Sequence, residues 1–218
     1  MEVKMLTSQQ CIDYILTRGE ASGLTYQVLG EDTDTLIHKR ENGEVVIAFY
    51  GSNSDVDWKN NFHFWKKAYK DCDIPFTAHS GFLKCWKLIR DEVERQVKEL
   101  NPISITVTGH SYGGAIAVLC MEDMRYLFPE LEIQMVTFGA PRVIGWRNWR
   151  KIKSRWENSR QFRNGSDFVT NVPFFGMLFH HVVRRTNMGD RPNLIGWFKT
   201  EKYHDLDEYY GQIEKIKK

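Results

Sequence analysis

Residues 103–126 constrain the fold of this chain most. Ile103-Ser104-Ile105-Thr106-Val107-Thr108 is rich in β-branched residues and reads as a buried strand. Gly109-His110-Ser111-Tyr112-Gly113 follows at once, and residues 113–126, opening on Gly113, Gly114, Ala115 and Ala117, read as a helix that packs closely. A strand that becomes a helix within so few residues leaves no room for side chains at the flanks of the turn. Glycine at 109 and 113 answers that crowding. Ser111 is then carried on the tip of the turn, where the N-terminus of the following helix favours negative charge. A chance match in an ordinary βα loop would need neither the β-branched strand before the turn nor the small-residue helix after it.

The surrounding pattern repeats the same alternation. Thr7 and Gln10 have capping-box spacing ahead of Cys11, Ile12, Ile15 and Leu16, which predicts a first helix stopping at Gly19. Residues 24–29, 35–39 and 44–50 read as strands, with Asn42-Gly43 as a hairpin signal between the last two. Val45-Val46-Ile47-Ala48-Phe49 is continuously apolar, as a strand buried on both faces would be. Phe82, Trp86, Ile89, Val93, Val97 and Leu100 share one face of a helix over 81–100, which Asn101-Pro102 ends. Residues 133–137 read as another strand. A hairpin region followed by strand, helix, strand, helix and strand predicts an α/β fold with a largely parallel sheet flanked by helices. No repeat or linker divides the chain, so residues 1–218 are expected to form a single domain.

With 218 residues, 42% hydrophobic and 27% charged, the chain can bury a core without disulfides or metals. Its net charge of +2 argues against both a nucleic-acid binder and a strongly acidic protein. Cys11, Cys72, Cys85 and Cys120 form no C-x-x-C pair, and no metal or other cofactor is expected. The opening Met1-Glu2-Val3-Lys4-Met5 lacks a basic segment leading into an apolar one. With reduced thiols, a cytoplasmic site is therefore the expectation; the alternative is secretion after loss of a leader absent from this sequence.

Several blocks, in order, resemble the class 3 (fungal-type triacylglycerol) lipases. Val46-Ile47-Ala48-Phe49-Tyr50-Gly51-Ser52 looks like that family's strand and oxyanion loop, with Tyr50 where Arg is usual. His79-Ser80-Gly81-Phe82 resembles the opening of its long helix, and Val107 to Gly114 its elbow, with Tyr112 where Leu is frequent. Thr137-Phe138-Gly139-Ala140-Pro141-Arg142-Val143 resembles the next strand and turn. Arg163-Asn164-Gly165-Ser166-Asp167-Phe168-Val169 with Val172-Pro173 resembles the block of the catalytic acid. Tyr203-His204-Asp205, with Tyr209 after it, resembles the histidine block. The resemblance implies an α/β-hydrolase fold and ester hydrolysis through an acyl-serine, with a lipid or other ester as substrate; a phospholipase, thioesterase or acyltransferase on the same triad is the alternative, and a non-catalytic interaction protein on this fold is disfavoured because all three triad candidates are present.

A serine needs a base to take its proton, and the base needs an acid to fix its tautomer. Ser111, Asp167 and His204 follow the order serine, acid, histidine of this fold. Alone, Asp167 reads as a turn-capping residue; the matching block makes it the acid, with Asp190 as the rival. His180 and His181 adjoin Val182-Val183 and read as the start of a strand, and His110 reads as structural, pointing away from the serine. The oxyanion donors implied are the N–H groups of Tyr112 and Ser52.

Three apolar clusters bear on substrate. Trp58, Phe62 and Trp65 fall on one helical stripe where the family carries its lid, so residues 53–65 are a candidate lid, with a helix that simply packs down as the other reading. Phe174 and Phe175 belong to an apolar run after Pro173 that either lines an acyl pocket or fills the core. Residues 146–160 read as a basic, Trp-bearing helix. Such a helix suits transient contact with a lipid surface, or else is a solvated face over a buried stripe. No nucleic-acid motif accompanies it, and oligomeric state is left open.

Overall fold

The computed structural model describes residues 4–16, 26–30, 33–50, 65–147, 149–153, 155–156, 158–190 and 200–216. Among them the chain opens with helix α1 (Ser8–Leu16), whose capping box closes reciprocally: Thr7 N–H donates to Gln10 Oε1 at 3.0 Å and Gln10 N–H to Thr7 Oγ1 at 3.3 Å. The expected stop at Gly19 lies outside the described residues.

Strands β1 (Gln27–Leu29), β2 (Thr33–Lys39) and β3 (Glu44–Phe49) run antiparallel. The turn between the last two closes with Gly43 N–H on Arg40 O at 2.9 Å, and Gly43 holds φ +85°. Asn42 Oδ1 accepts from Glu44 N–H at 3.2 Å. This is the turn with a left-handed glycine that the Asn-Gly pair announced.

From β3 onward the sheet is parallel. β6 (Ser104–His110), β7 (Glu132–Phe138), β9 (Arg160–Asn164) and β11 (Arg185–Met188) join it, giving the order β1-β2-β3-β6-β7-β9-β11. The two faces bury different residues. Val45, Ile47 and Phe49 of β3 pack with Ile105 and Val107 against α2 (Ser80–Leu100) and α3 (Ser111–Leu127). Val46 turns to the other face with Val136, Phe138 and Phe162, under α1 and α6 (Leu206–Ile216). The continuous apolar run of β3 is thus covered on both sides, as a parallel sheet requires. This is the α/β-hydrolase arrangement.

α2 places Phe82, Trp86, Ile89, Val93 and Val97 in the core, and Asn101 ends it at φ +47° with its N–H on Lys98 O at 3.2 Å. α3 is buried along nearly its whole length. Its two carboxylates are paired rather than solvated. Asp123 accepts from Trp86 Nε1 at 2.7 Å and from the Tyr69 hydroxyl, with Arg90 Nε at 3.1 Å. Glu122 accepts from Trp156 Nε1 at 2.7 Å and from Arg155. Burial without such partners would cost several kcal/mol per charge.

A second, antiparallel sheet orders β10 (Phe179–His180), β8 (Ile144–Gly145), β5 (Phe76–His79) and β4 (Lys66–Tyr69). Two expectations are corrected here. The helix expected over 146–160 is confined, among the described residues, to α4 (Trp149–Lys153), because Trp156 turns inward to 1% exposure to reach Glu122. The strand expected from His180 through Val183 breaks instead: the backbone bends at Val182, which is wholly buried, and pairing resumes only at Arg185. The candidate lid residues Trp58 and Phe62, and all of 53–64, lie outside the described residues; Trp65 is exposed beside β4. No described helix is long and apolar enough to cross a membrane.

Candidate active site

β6 runs directly into α3 at Ser111, and the tightness of that junction is visible in its glycines. A Cβ on Gly109 would lie 2.4 Å from the carbonyl oxygen of Gly113, and one on Gly113 would lie 2.3 Å from the carbonyl oxygen of Phe49. The start of α3 therefore sits against the C-terminal end of β3, where the loop toward Ser52 begins; Ser52 itself lies outside the described residues. Ser111 holds φ +54°, a left-handed conformation costing a non-glycine residue about 1–2 kcal/mol. It is 3% exposed, at the positive end of α3.

Asp167 follows β9, as Ser111 follows β6, so both stand at the C-terminal ends of parallel strands. His204 ends helix α5 (Thr200–His204). The three side chains form a line: His204 Nε2 is 2.7 Å from Ser111 Oγ, and His204 Nδ1 is 3.0 Å from Asp167 Oδ2. An ionised carboxylate only accepts, so Nδ1 carries the proton on neutral His204, and Nε2 is left to accept from the serine hydroxyl.

Asp167 is fully buried, and its charge is held by donors on both oxygens. Val169 N–H donates to Oδ1 at 2.9 Å, and the Tyr209 hydroxyl donates to Oδ2 at 2.6 Å. The Tyr209 oxygen in turn accepts from Asn164 N–H at 3.0 Å. Burial, and next the adjacent Asp167 charge, push the Tyr209 hydroxyl well above the usual phenol range, so it stays a donor.

His204 is fixed from its backbone as well. His110 Nε2 donates to the His204 carbonyl at 2.8 Å, with the two rings 4.8 Å apart. Burial first, then the neighbouring His204, lower His110 to about 3, so this ring is neutral. Asn164 Nδ2 donates to Tyr203 O at 3.1 Å, a second tether on the same short helix. On the remaining side stands Gly139, at the end of β7 with φ +63°. Its hypothetical Cβ would lie 2.9 Å from His204 Cε1 and 3.1 Å from Asp167 Oδ2.

The other candidates fall elsewhere. Asp190, the rival acid, is exposed after the turn at Gly189. His181 Nε2 donates to Thr170 O at 2.8 Å, and burial lowers this ring to about 3. His79 caps α2, accepting from Gly81 N–H at 3.2 Å. Phe174 is half-exposed, its ring 5.5 Å from that of Phe168 beside Asp167; Phe175 lies in a short 3-10 turn with Met177. Among the described residues no group of His, Cys, Asp and Glu is placed to hold a metal ion.

Residues 46–177 match the family model for Lipase (class 3). The chain belongs to the class 3 lipase family. It is 32% identical over 174 residues to the secreted mono- and diacylglycerol lipase A of Penicillium cyclopium, a match covering 75% of this chain and 56% of that protein. It is 27% identical over 176 residues to a chloroplastic phospholipase A(1) of Arabidopsis thaliana, covering 71% of this chain and 39% of that one. Among solved structures it is similar to the mono- and diacylglycerol lipase from Aspergillus oryzae, with a TM-score of 0.65 and 29% identity over 80% of this chain and 67% of that chain. This class 3 lipase chain thus spans little more than half the length of the Penicillium relative.

The relatives also correct the cytoplasmic expectation: the Penicillium match is a secreted lipase, which favours secretion. The cysteine argument fails for a physical reason. Cys11, Cys72, Cys85 and Cys120 are free, and burial pushes the Cys72 thiol up to about 12 and those of Cys11 and Cys120 far up as well. Buried thiols held protonated, as those of Cys11, Cys72 and Cys120 are, carry no record of the redox compartment.

Proposed function

We propose that this class 3 lipase chain hydrolyses carboxylic esters of lipids through an acyl-serine. Ser111 is the nucleophile, His204 the base and Asp167 the acid, and the observation that carries this is the Ser111–His204–Asp167 line at 2.7 and 3.0 Å. Ser111 Oγ attacks the ester carbonyl as His204 Nε2 takes its proton. His204 gives that proton to the departing alcohol. Water, deprotonated by His204, then attacks the acyl-serine; the proton returns to Ser111 and the acid leaves.

Negative charge on the tetrahedral oxygen is met by the N–H of Tyr112, at the start of α3, and by that of Ser52. Asp167, which accepts hydrogen bonds from Tyr209 and Val169, stabilises the imidazolium that forms. Phe174 offers apolar surface near the acid loop to an acyl chain, with Phe175 beside it in sequence. The segment 53–65, with Trp58 and Phe62, is the proposed cover of the site.

A mono- or diacylglycerol is the favoured substrate, in keeping with the names of the Penicillium and Aspergillus relatives. A phospholipid is the second reading, favoured by the likeness to a phospholipase A(1). The test is hydrolysis of p-nitrophenyl butyrate by wild type and Ser111→Ala, with folding followed by circular dichroism. The variant is expected to fold and to lose turnover; unchanged turnover refutes the reading. A panel of acylglycerols and phospholipids then separates the two substrate classes.

A further inference from the structure

β9 and β11 pair in parallel, with Gln161 opposite Arg185 and Arg163 opposite Asn187. Alternate residues of a strand share a face, so Arg163 and Arg185 stand diagonally across the two strands on one side of the sheet. Phe162 and Met188 take the other side, in the core under α6. The loop after Asp167 is fastened to this edge. Arg185 Nη1 donates to Thr170 O and Thr170 Oγ1, both at 2.9 Å, and to Asn171 Oδ1 at 3.0 Å. Arg142 reaches the same loop from the turn after β7, donating through Nη1 to Asn171 O and, at 2.7 Å, to Pro173 O.

These bonds occupy donors without supplying negative charge. Among the described residues the Lys and Arg ion pairs fall on Arg40, Lys87, Arg90, Arg95, Lys98 and Arg155, and none includes Arg142, Arg163 or Arg185. Arg163 Nε is buried with no hydrogen-bond partner. The three guanidinium groups also feel one another. Burial first, and then the charges of Arg163 and Arg142, lower Arg185 to about 10; Asp167 offsets this least of the neighbouring groups. Burial, and next the Arg163 charge, lower Arg142 as well. Partly buried cations gathered without an anion cost stability, and a ligand of opposite charge relieves that cost. All three side chains are only partly buried, so an ion from solvent can reach them.

We propose that Arg142, Arg163 and Arg185 form a binding site for a phosphate group, beside the loop that follows Asp167 and distinct from the triad. Three positive charges favour a dianion over chloride or a carboxylate, and each guanidinium presents paired N–H groups to two oxygens of a tetrahedral anion. Free phosphate and the phosphomonoester headgroup of a lipid present the same chemistry. The site touches no reacting atom; it meets the triad through Thr170, whose Oγ1 donates to Asp167 O at 3.0 Å.

The test is binding, read first by melting. At about pH 8, inorganic phosphate at about 10 mM is expected to raise the Tm of the wild-type chain by about 3 °C over chloride at equal ionic strength. Arg163→Gln removes one charge and leaves the bonds of Arg142 and Arg185 to the loop in place. It is expected to weaken phosphate binding at least about tenfold by isothermal titration calorimetry, with Arg163→Lys recovering only part of the loss because lysine lacks the fork. Should Arg163→Gln misfold, wild-type protein gives the second readout: sulfate displaces bound phosphate, and nitrate at the same concentration does not. Soluble dihexanoyl phosphatidic acid, titrated into Ser111→Ala so that it is not consumed, separates the two sources. Arg163-dependent binding tighter than that of inorganic phosphate assigns the site to a lipid headgroup, and binding no tighter assigns it to free phosphate. A Tm rise no greater than that with chloride, phosphate binding unchanged in Arg163→Gln, or displacement by nitrate as readily as by sulfate overturns the proposal. Phosphate binding is measured without turnover, so its failure leaves the proposed ester hydrolysis standing, and inactivity toward esters leaves this site standing.

Discussion

Gly139 and His204 are packed so closely that position 139 has no room for a side chain: a Cβ there would lie 2.9 Å from His204 Cε1 and 3.1 Å from His204 Nδ1. Gly139 also holds φ +63°, which L side chains rarely adopt. Gly139→Ala is therefore expected to displace the imidazole from both Ser111 and Asp167. A shift of about 1 Å costs on the order of 100-fold in turnover. The loss should fall on kcat rather than KM with a soluble ester, and a variant with wild-type kcat would show that the histidine position does not depend on this contact.

Tyr209→Phe removes one hydroxyl from a fully buried site and keeps the ring. Asp167 Oδ2 loses the donor at 2.6 Å, and Asn164 N–H loses its acceptor. Stability should fall by about 1–3 kcal/mol, read from urea denaturation. Turnover should fall too, because the carboxylate that orients His204 is less firmly held; an effect on stability with kcat intact would make Tyr209 a packing residue only.

His181 makes the pH dependence of stability testable. Its folded value is about 3, against about 6.5 for an exposed histidine. The ring is neutral in both states above pH 6.5, so its contribution is complete there. As pH falls toward 3 the unfolded chain takes up a proton that the folded chain refuses, and stability is lost at about 1.4 kcal/mol per pH unit. His181→Gln should lose less stability than wild type between pH 6.5 and 4.5, measured by urea midpoints. Parallel pH profiles for the two proteins would contradict the assignment.

Glu122 has the opposite sign. Burial raises its carboxyl to about 7, with Arg155 and Trp156 opposing that rise. The folded state then binds a proton that the unfolded state releases near pH 4.5, so this group's contribution is present below that value and lost as pH rises through about 7. Glu122→Gln should therefore gain on wild type as pH is raised from 5 to 8, in the same urea assay. A constant difference between the two would show that Glu122 does not titrate in this window.

What could be read in advance follows from how local each signal is. The strand and helix around Ser111 were legible because strand propensity, glycine placement and the small-residue helix all agree within one short segment. β3 and α2 were legible for the same reason: burial on two faces and on one face leave different sequence patterns. Asp167 and His204 were readable only through blocks resembling a family, since an Asp in a turn and a His near a helix end carry no periodicity. Gly139 could not be singled out, because its role depends on where His204 arrives from a distant part of the chain. His110 was expected to be structural and turned from the serine; its hydrogen bond to the His204 carbonyl depends on the same long-range meeting. The second sheet escaped notice because the two-residue strands β8 and β10 are too short to alternate. The expected helix over 146–160 failed because Trp156 finds a buried carboxylate, a tertiary contact that overrides helical spacing.

The central claim is that Ser111 is a nucleophile activated by His204. Labelling with a fluorophosphonate probe, followed by peptide mass spectrometry, tests it most directly. The account predicts a single adduct on the peptide bearing Ser111, formed rapidly in wild type and nearly absent in His204→Ala. An adduct on another residue, or labelling of Ser111 at the same rate without His204, would contradict it.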